Sequence, residues 1–121
     1  MTPSEELLRS IAERLKAIAD PTRLKILHCL DDRELPVGEI VAAVGGSQAN
    51  VSKHLTVLRR EGVVGSRREG LSVFYRVIDE TAFTICRDVC DSLERRLEEQ
   101  RRTLEEGRAA AAAGGRRLAA R

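Results

Sequence analysis

The chain has 121 residues, one domain's worth where domains run to about 100 to 150. Its 42% hydrophobic and 33% charged content predicts a water-soluble, helix-rich protein, and no stretch approaches the roughly 20 apolar residues of a membrane helix. Three cysteines are too sparse for a secreted disulfide framework, and a net charge of +2 does not by itself imply nucleic acid.

The distribution of charge is more informative than its total. Residues 1–46 hold 6 basic against 8 acidic side chains, residues 47–76 hold 6 against 2, and residues 77–121 hold 9 against 9. The middle quarter is therefore the basic part of the chain. Glu5 and Glu6 stand where a secretory leader would be apolar, so the expected location is the cytoplasm.

Thr2-Pro3-Ser4-Glu5 reads as a capping box with proline at the first helical position. Leu7, Leu8, Ile11, Leu15 and Ile18 then recur at helical spacing and predict a first amphipathic helix. Asp20-Pro21 repeats the signal for a second helix carrying Leu24, Ile26, Leu27 and Leu30, closed by Asp31-Asp32-Arg33. Pro36 opens a short third helix through Ile40, Val41 and Val44.

Gly45-Gly46 breaks that helix, and Ser47 is placed to cap a fourth. Two short helices joined by a tight glycine turn form a helix-turn-helix, whose second helix lies in the DNA major groove. Between Ser47 and Glu61, Val51, Leu55 and Leu58 share one face. The candidate DNA-binding residues are therefore Ser47, Gln48, Asn50, Ser52, Lys53, His54, Thr56 and Arg59, donors and acceptors of the kind that read base edges and phosphates. Gly62 is placed as a left-handed cap. A strand from Val63 and a return strand from Leu71 to Val77, joined at Glu69-Gly70, predict a two-stranded wing. Arg67 and Arg68 fall at its tip, and Arg76 adds a third cation for the DNA backbone.

From Asp79 to about Leu104 the spacing of Phe83, Cys86, Cys90, Leu93, Leu97 and Leu104 predicts one long helix, interrupted at Gln100 and Arg101. A lone apolar stripe on such a helix calls for a partner. The folded domain is expected to span residues 1–106, leaving the Ala/Gly/Arg-rich residues 107–121 as a disordered tail. Cys86 and Cys90 lie one helical turn apart on the stripe, so both thiols face one surface. They are either small packing hydrophobes or, with Cys29, a site for a soft metal or metalloid ion or an oxidising sulfur species.

Over roughly Leu7 to Leu97 the chain resembles the ArsR/SmtB-type repressors. The residues that carry the likeness are Ala17-Ile18-Ala19-Asp20-Pro21-Thr22-Arg23-Leu24-Lys25-Ile26-Leu27, the run from Ser47 to Arg59, and the wing from Arg67 to Arg76. The resemblance implies a homodimer joined through the first and last helices, two recognition helices in successive major grooves of an inverted-repeat operator, and release of the operator by a ligand. The family's metal sites are not reproduced: Leu35 to Ile40 replaces the third-helix cysteine cluster, and no histidine follows His54. Cys29 is offset by one residue, at His28, from the thiol of dithiol-sensing relatives.

Together these features predict a mainly α-helical winged helix-turn-helix of about five helices with a two-stranded wing, acting as a transcriptional regulator and not as an enzyme. A protein-binding or constitutive DNA-binding adaptor with structural cysteines is the rival from the binding class. A thiol oxidoreductase built on Cys86 and Cys90 is the rival from the enzyme class. It lacks the shorter Cys-x-x-Cys spacing and the parallel strands that such enzymes use.

Overall fold

The computed structural model describes residues 2–119, with side chains through Gly115. In chain order the elements are α1 (Glu5–Ile18), α2 (Pro21–Leu30), β1 (Leu35–Pro36), α3 (Val37–Val44), α4 (Gln48–Arg60), β2 (Val64–Glu69), β3 (Ser72–Val77) and α5 (Thr81–Ala119). The chain forms two compact units, the first ending at Phe83 and the second beginning at Thr84.

Side-chain caps set most of the helix starts. Ser4 accepts from the Leu7 amide, Asp20 from Arg23 and Ser47 from Asn50, each satisfying an N–H that has no partner inside its helix. The cap of α1 is thus Ser4 rather than Thr2, and Pro3 lies outside the helix. The turn between α3 and α4 places Gly45 at φ 82° and Gly46 at φ 87°. A β-carbon would strain both positions, which is why two glycines stand there.

The core of the first unit is aliphatic. Ile26, Leu27, Leu30, Ile40, Val51, Leu55, Leu58 and Val63 are fully buried, and α4 packs against α1, α2, α3 and β2. Compact Leu, Ile and Val side chains fill this interior without an aromatic among the fully buried set.

The sheet has three antiparallel strands in the order β1-β3-β2, where the sequence predicts two. Pro36 does not open α3; it precedes that helix and pairs with Phe74, while Leu35 pairs with Tyr75. A two-residue strand is too short to show an alternation, and proline is tolerated there because an edge position asks for no donated hydrogen bond. The wing register pairs Val64 with Val77 and Glu69 with Ser72, so the turn is Gly70-Leu71. Arg67 and Arg68 consequently lie within the strand and not at its tip, and Leu71 belongs to the turn, fully exposed.

The last helix begins at Thr81, two residues after Asp79, whose carboxylate accepts from the Thr81 amide. It continues past Leu104 and Gly107 to Ala119, through the segment that the sequence predicts to be disordered. Ala109 to Ala113 are the best helix formers of all, and once a helix is running such residues extend it at little cost. Residues 120 and 121 of that segment lie outside the described residues.

Candidate nucleic-acid interface

The buried face of α4 fixes what its other face can do. Val51, Leu55 and Leu58 are wholly inaccessible, while Gln48, Asn50, Lys53, Arg59 and Arg60 are exposed. The Ser47 cap and the Val63 amide, which donates to the Leu58 carbonyl at 2.9 Å, hold the two ends of the helix. The exposed polar row is therefore presented on a rigid support, as precise readout of a groove requires.

Two further candidates on α4, Thr56 and His54, have their side chains engaged inside the protein. The Thr56 hydroxyl donates to the Ser52 carbonyl at 2.9 Å, and both residues are half-buried. His54 is also half-buried, and its Nδ1 accepts from Arg23 Nε at 3.1 Å. Accepting at Nδ1 puts the proton of the neutral ring on Nε2. Asp20 Oδ2 lies 3.9 Å from the same nitrogen, an electrostatic neighbour beyond hydrogen-bond reach. Arg23 Nη1 further donates to the Ala17 carbonyl at 3.3 Å. The Asp20 carboxyl sits below its ordinary range, chiefly because the Arg23 backbone N–H donates to it, with His54 adding a smaller effect. His54 thus ties the recognition helix to the start of α2. Asp20 and Arg23 are partners of His54 that sequence reasoning missed, although both stand in the Asp20-Pro21-Thr22-Arg23 run.

The wing separates its cations by face. Strand alternation and register put Ser66, Arg68, Val73 and Tyr75 on one side, and Arg67, Glu69, Phe74 and Arg76 on the other. Arg59 of α4 lies 3.5 Å from the Ser66 hydroxyl, which marks the first side as the one beside the recognition helix. Arg68 on that side has no ion pair among the described residues. Arg67 has two: its Nε and Nη2 meet Glu34 Oε1 at 2.7 and 2.6 Å, and Nη1 meets Glu69 Oε2 at 2.7 Å. Its guanidinium also lies 4.8 Å above the Phe74 ring. The hydrogen bond from Arg67 holds the Glu34 carboxyl below its usual range, and Glu34 and then Glu69 hold the Arg67 proton more firmly than usual.

None of the three cysteines lies on α4 or in the wing. Cys29, on α2, is half-buried, and its backbone carbonyl accepts from Arg33. Cys86 is half-buried and Cys90 exposed, both on α5. Burial pushes the Cys86 thiol up; the Glu94 carboxylate, 3.7 Å from Cys90 Sγ, does the same for Cys90, aided by burial and Asp91. Among the described residues no group of three His, Cys, Asp or Glu side chains is arranged to hold a metal ion, and no helix is long and apolar enough to cross a membrane.

A buried-faced helix after a double-glycine turn, followed by a hairpin with basic residues, defines the winged helix-turn-helix class. The sequence pattern of bacterial regulatory proteins of the arsR family matches residues 20–66. An uncharacterised helix-turn-helix regulator of Mycobacterium tuberculosis, Rv0081, is 43% identical over 75 residues, which cover 61% of this chain and 66% of that protein. Its crystal structure superposes with a TM-score of 0.70 at 36% identity, covering 80% of this chain and 98% of that one. The biofilm growth-associated repressor of Agrobacterium fabrum is 37% identical over 64% of this chain and 67% of its own length. A homodimeric winged helix-turn-helix DNA-binding domain from Mycobacterium bovis superposes with a TM-score of 0.69 at 32% identity, covering 80% of this chain and 93% of that one. The chain belongs to the ArsR family of bacterial transcriptional regulators. The match to Rv0081 stops just short of two thirds of that regulator's length.

Proposed function

We propose that this chain is a homodimeric, cytoplasmic, sequence-specific DNA-binding repressor that leaves its operator when an effector acts on it. The observation that carries this reading is the exposed row Gln48, Asn50, Lys53 and Arg59 on a capped helix whose opposite face is fully buried. Gln48 and Asn50, in the first turn, supply the donor-acceptor pairs that match adenine in the major groove, and Lys53 and Arg59 supply charge for guanine or phosphate. Arg68 lies on the same side and is the wing's candidate for backbone contact. The M. bovis neighbour, a homodimeric DNA-binding domain, supports the dimer, as do Leu93 and Leu97, 55% and 65% exposed on α5.

Of the two roles open to the thiols, packing is favoured. Thiolate is the form that reacts or binds a soft ion, and the surroundings of Cys86 and Cys90 disfavour it. The effector is therefore read as one that acts by a route other than these sulfurs.

The test is selection of bound sequences from a random duplex pool, followed by footprinting. An inverted repeat with half-sites about one helical turn apart is expected. Gln48→Ala and Asn50→Ala should each cost about 1 to 3 kcal/mol of binding and relax preference at one position per half-site. A footprint without a dyad, or a wild type indifferent to sequence, overturns the proposal.

A further inference from the structure

Arg67 is the residue whose geometry departs most from the expectation for a wing cation. The sequence predicts that it faces the DNA backbone, yet two carboxylates and an aromatic ring already contact its guanidinium. Phosphate contact would have to use the two N–H bonds that these carboxylates leave, and would bring Glu34 and Glu69 up beside a polyanion.

The clamp also joins parts of the chain that are distant in sequence. Glu34 sits in the segment that enters β1, and β1 is the edge strand that pairs with β3. Arg67 is on β2, the opposite edge, and faces Phe74 of the central strand. The side chain therefore reaches from β2, over the ring of β3, to the approach of β1. A guanidinium suits that task because its planar fork meets two carboxylates while its face stacks on the ring. An ammonium can satisfy only part of this set.

Resting on the DNA-binding reading above, we infer that Arg67 is a positioning residue which braces the wing through Glu34, Phe74 and Glu69, and that Arg68, on the opposite face, is the wing residue that meets phosphate. The brace fixes the angle at which β2 and β3 leave the domain. In doing so it pre-organises Arg68, on the recognition-helix side, for the DNA backbone. Preformed geometry raises affinity by lowering the ordering cost of association and not by adding a contact.

The two roles separate in the salt dependence of binding to a random-sequence duplex, because each phosphate neutralised adds about one unit to the slope. For Arg68→Ala the slope should fall by about one. For Arg67→Ala the slope should stay at the wild-type value while affinity falls about three- to tenfold. Arg67→Lys, which keeps the charge and loses the fork, should behave like Arg67→Ala. Glu34→Gln, which takes away a partner of Arg67 and removes no cation, should likewise lower affinity with the slope at the wild-type value. Amide exchange in the free protein supplies a readout without DNA: it should quicken across Val64 to Val77 in Arg67→Ala and, to a lesser degree, in Glu34→Gln.

If Arg67→Ala lowers the slope by about one and Arg67→Lys binds as wild type does, Arg67 is a phosphate contact and the inference is overturned. It is equally overturned if Glu34→Gln binds the duplex more tightly than wild type, as it would were Glu34 holding Arg67 back from phosphate. A wild type with no salt-sensitive affinity for duplex DNA would overturn the DNA-binding reading instead, and the amide exchange would then still decide whether Arg67 braces the wing.

Discussion

The helices α4 and α5 are both amphipathic, and they differ in where their apolar faces are covered. On α4, Val51, Leu55 and Leu58 are completely buried by the chain's own elements. On α5, Val89, Leu93, Leu97 and Leu104 are 51%, 55%, 65% and 67% exposed. A face buried within one chain holds the helix still and frees its polar side to read something else. A face left exposed along several turns is an association surface, since such a row is costly to leave in water. The first helix can thus serve as a rigid reader and the second as a joint between subunits.

The sharpest way to break this contrast is to remove the cover from α4. Leu55→Ala deletes a fully buried side chain and should destabilise the fold by about 2 to 5 kcal/mol. The check is a denaturant titration. A cost below about 1 kcal/mol would mean that α4 is not supported from beneath as described. The double variant Leu93→Glu, Leu97→Glu addresses the other side. It should leave the fold of the first unit intact, shift the protein to monomer, and weaken binding to a two-fold site by more than tenfold, because each half-site is then bound alone. Sedimentation at micromolar concentration decides this, and an unchanged dimer would remove α5 from the interface.

Legibility in the sequence follows the same division. The start of α4 was readable because Gly45-Gly46 and Ser47 each have one strong local meaning, positive φ for the glycines and a cap for the serine. The apolar set Val51, Leu55 and Leu58 was readable because the helical period of three to four residues is unambiguous. The outward residues were readable as a list but not by role. His54 and Thr56 carry the same side-chain chemistry as free readers, and only their placement against Arg23 and Ser52 engages them. Arg67 and Arg68 are adjacent and identical in type, and strand alternation sends them to opposite faces with different neighbours. Glu34 is 33 residues from Arg67 in sequence, so no local pattern reveals that they pair. The short β1 and the continuation of α5 past Leu104 were missed for a related reason. A two-residue strand and an alanine run have no period to read.

A smaller effect is expected from acid. Asp20, Glu34 and Asp79 all have carboxyls below their ordinary values. For Asp79 burial pulls the other way, and the hydrogen bonds from Thr81 together with the Arg14 charge outweigh it. A depressed folded-state value means that the group contributes stability that is fully present above its unfolded value, about 4, and is lost as pH falls through the folded one. All three groups lie in the unit that contains α4. Thermal unfolding should therefore shift downward as pH drops below about 4, and Glu34→Gln should make the decline shallower. An equally steep decline in that variant would mean that the Glu34 pair contributes nothing to it.

The smallest effect is expected at the thiols of α5, and it tests whether that helix is a joint alone or also a sensor. A sensing cysteine needs a thiolate, and a soft ion must displace the thiol proton to bind. Burial pushes the Cys86 thiol up, and the neighbouring Glu94 carboxylate does the same for Cys90. Closing a disulfide between them is also disfavoured, because side chains one helical turn apart run nearly parallel and do not meet the dihedral requirement of the bond. The pair Cys86→Ser, Cys90→Ser should consequently bind its selected operator within about twofold of wild type, a change below about 0.5 kcal/mol and typical of a substitution away from any critical feature. Addition of arsenite, cadmium or polysulfide should then move the two proteins by the same amount. Release of the operator by one of these agents in wild type, but not in the double serine variant, would show that the sulfurs react despite their surroundings. In that case α5 would be the element through which a chemical signal reaches α4.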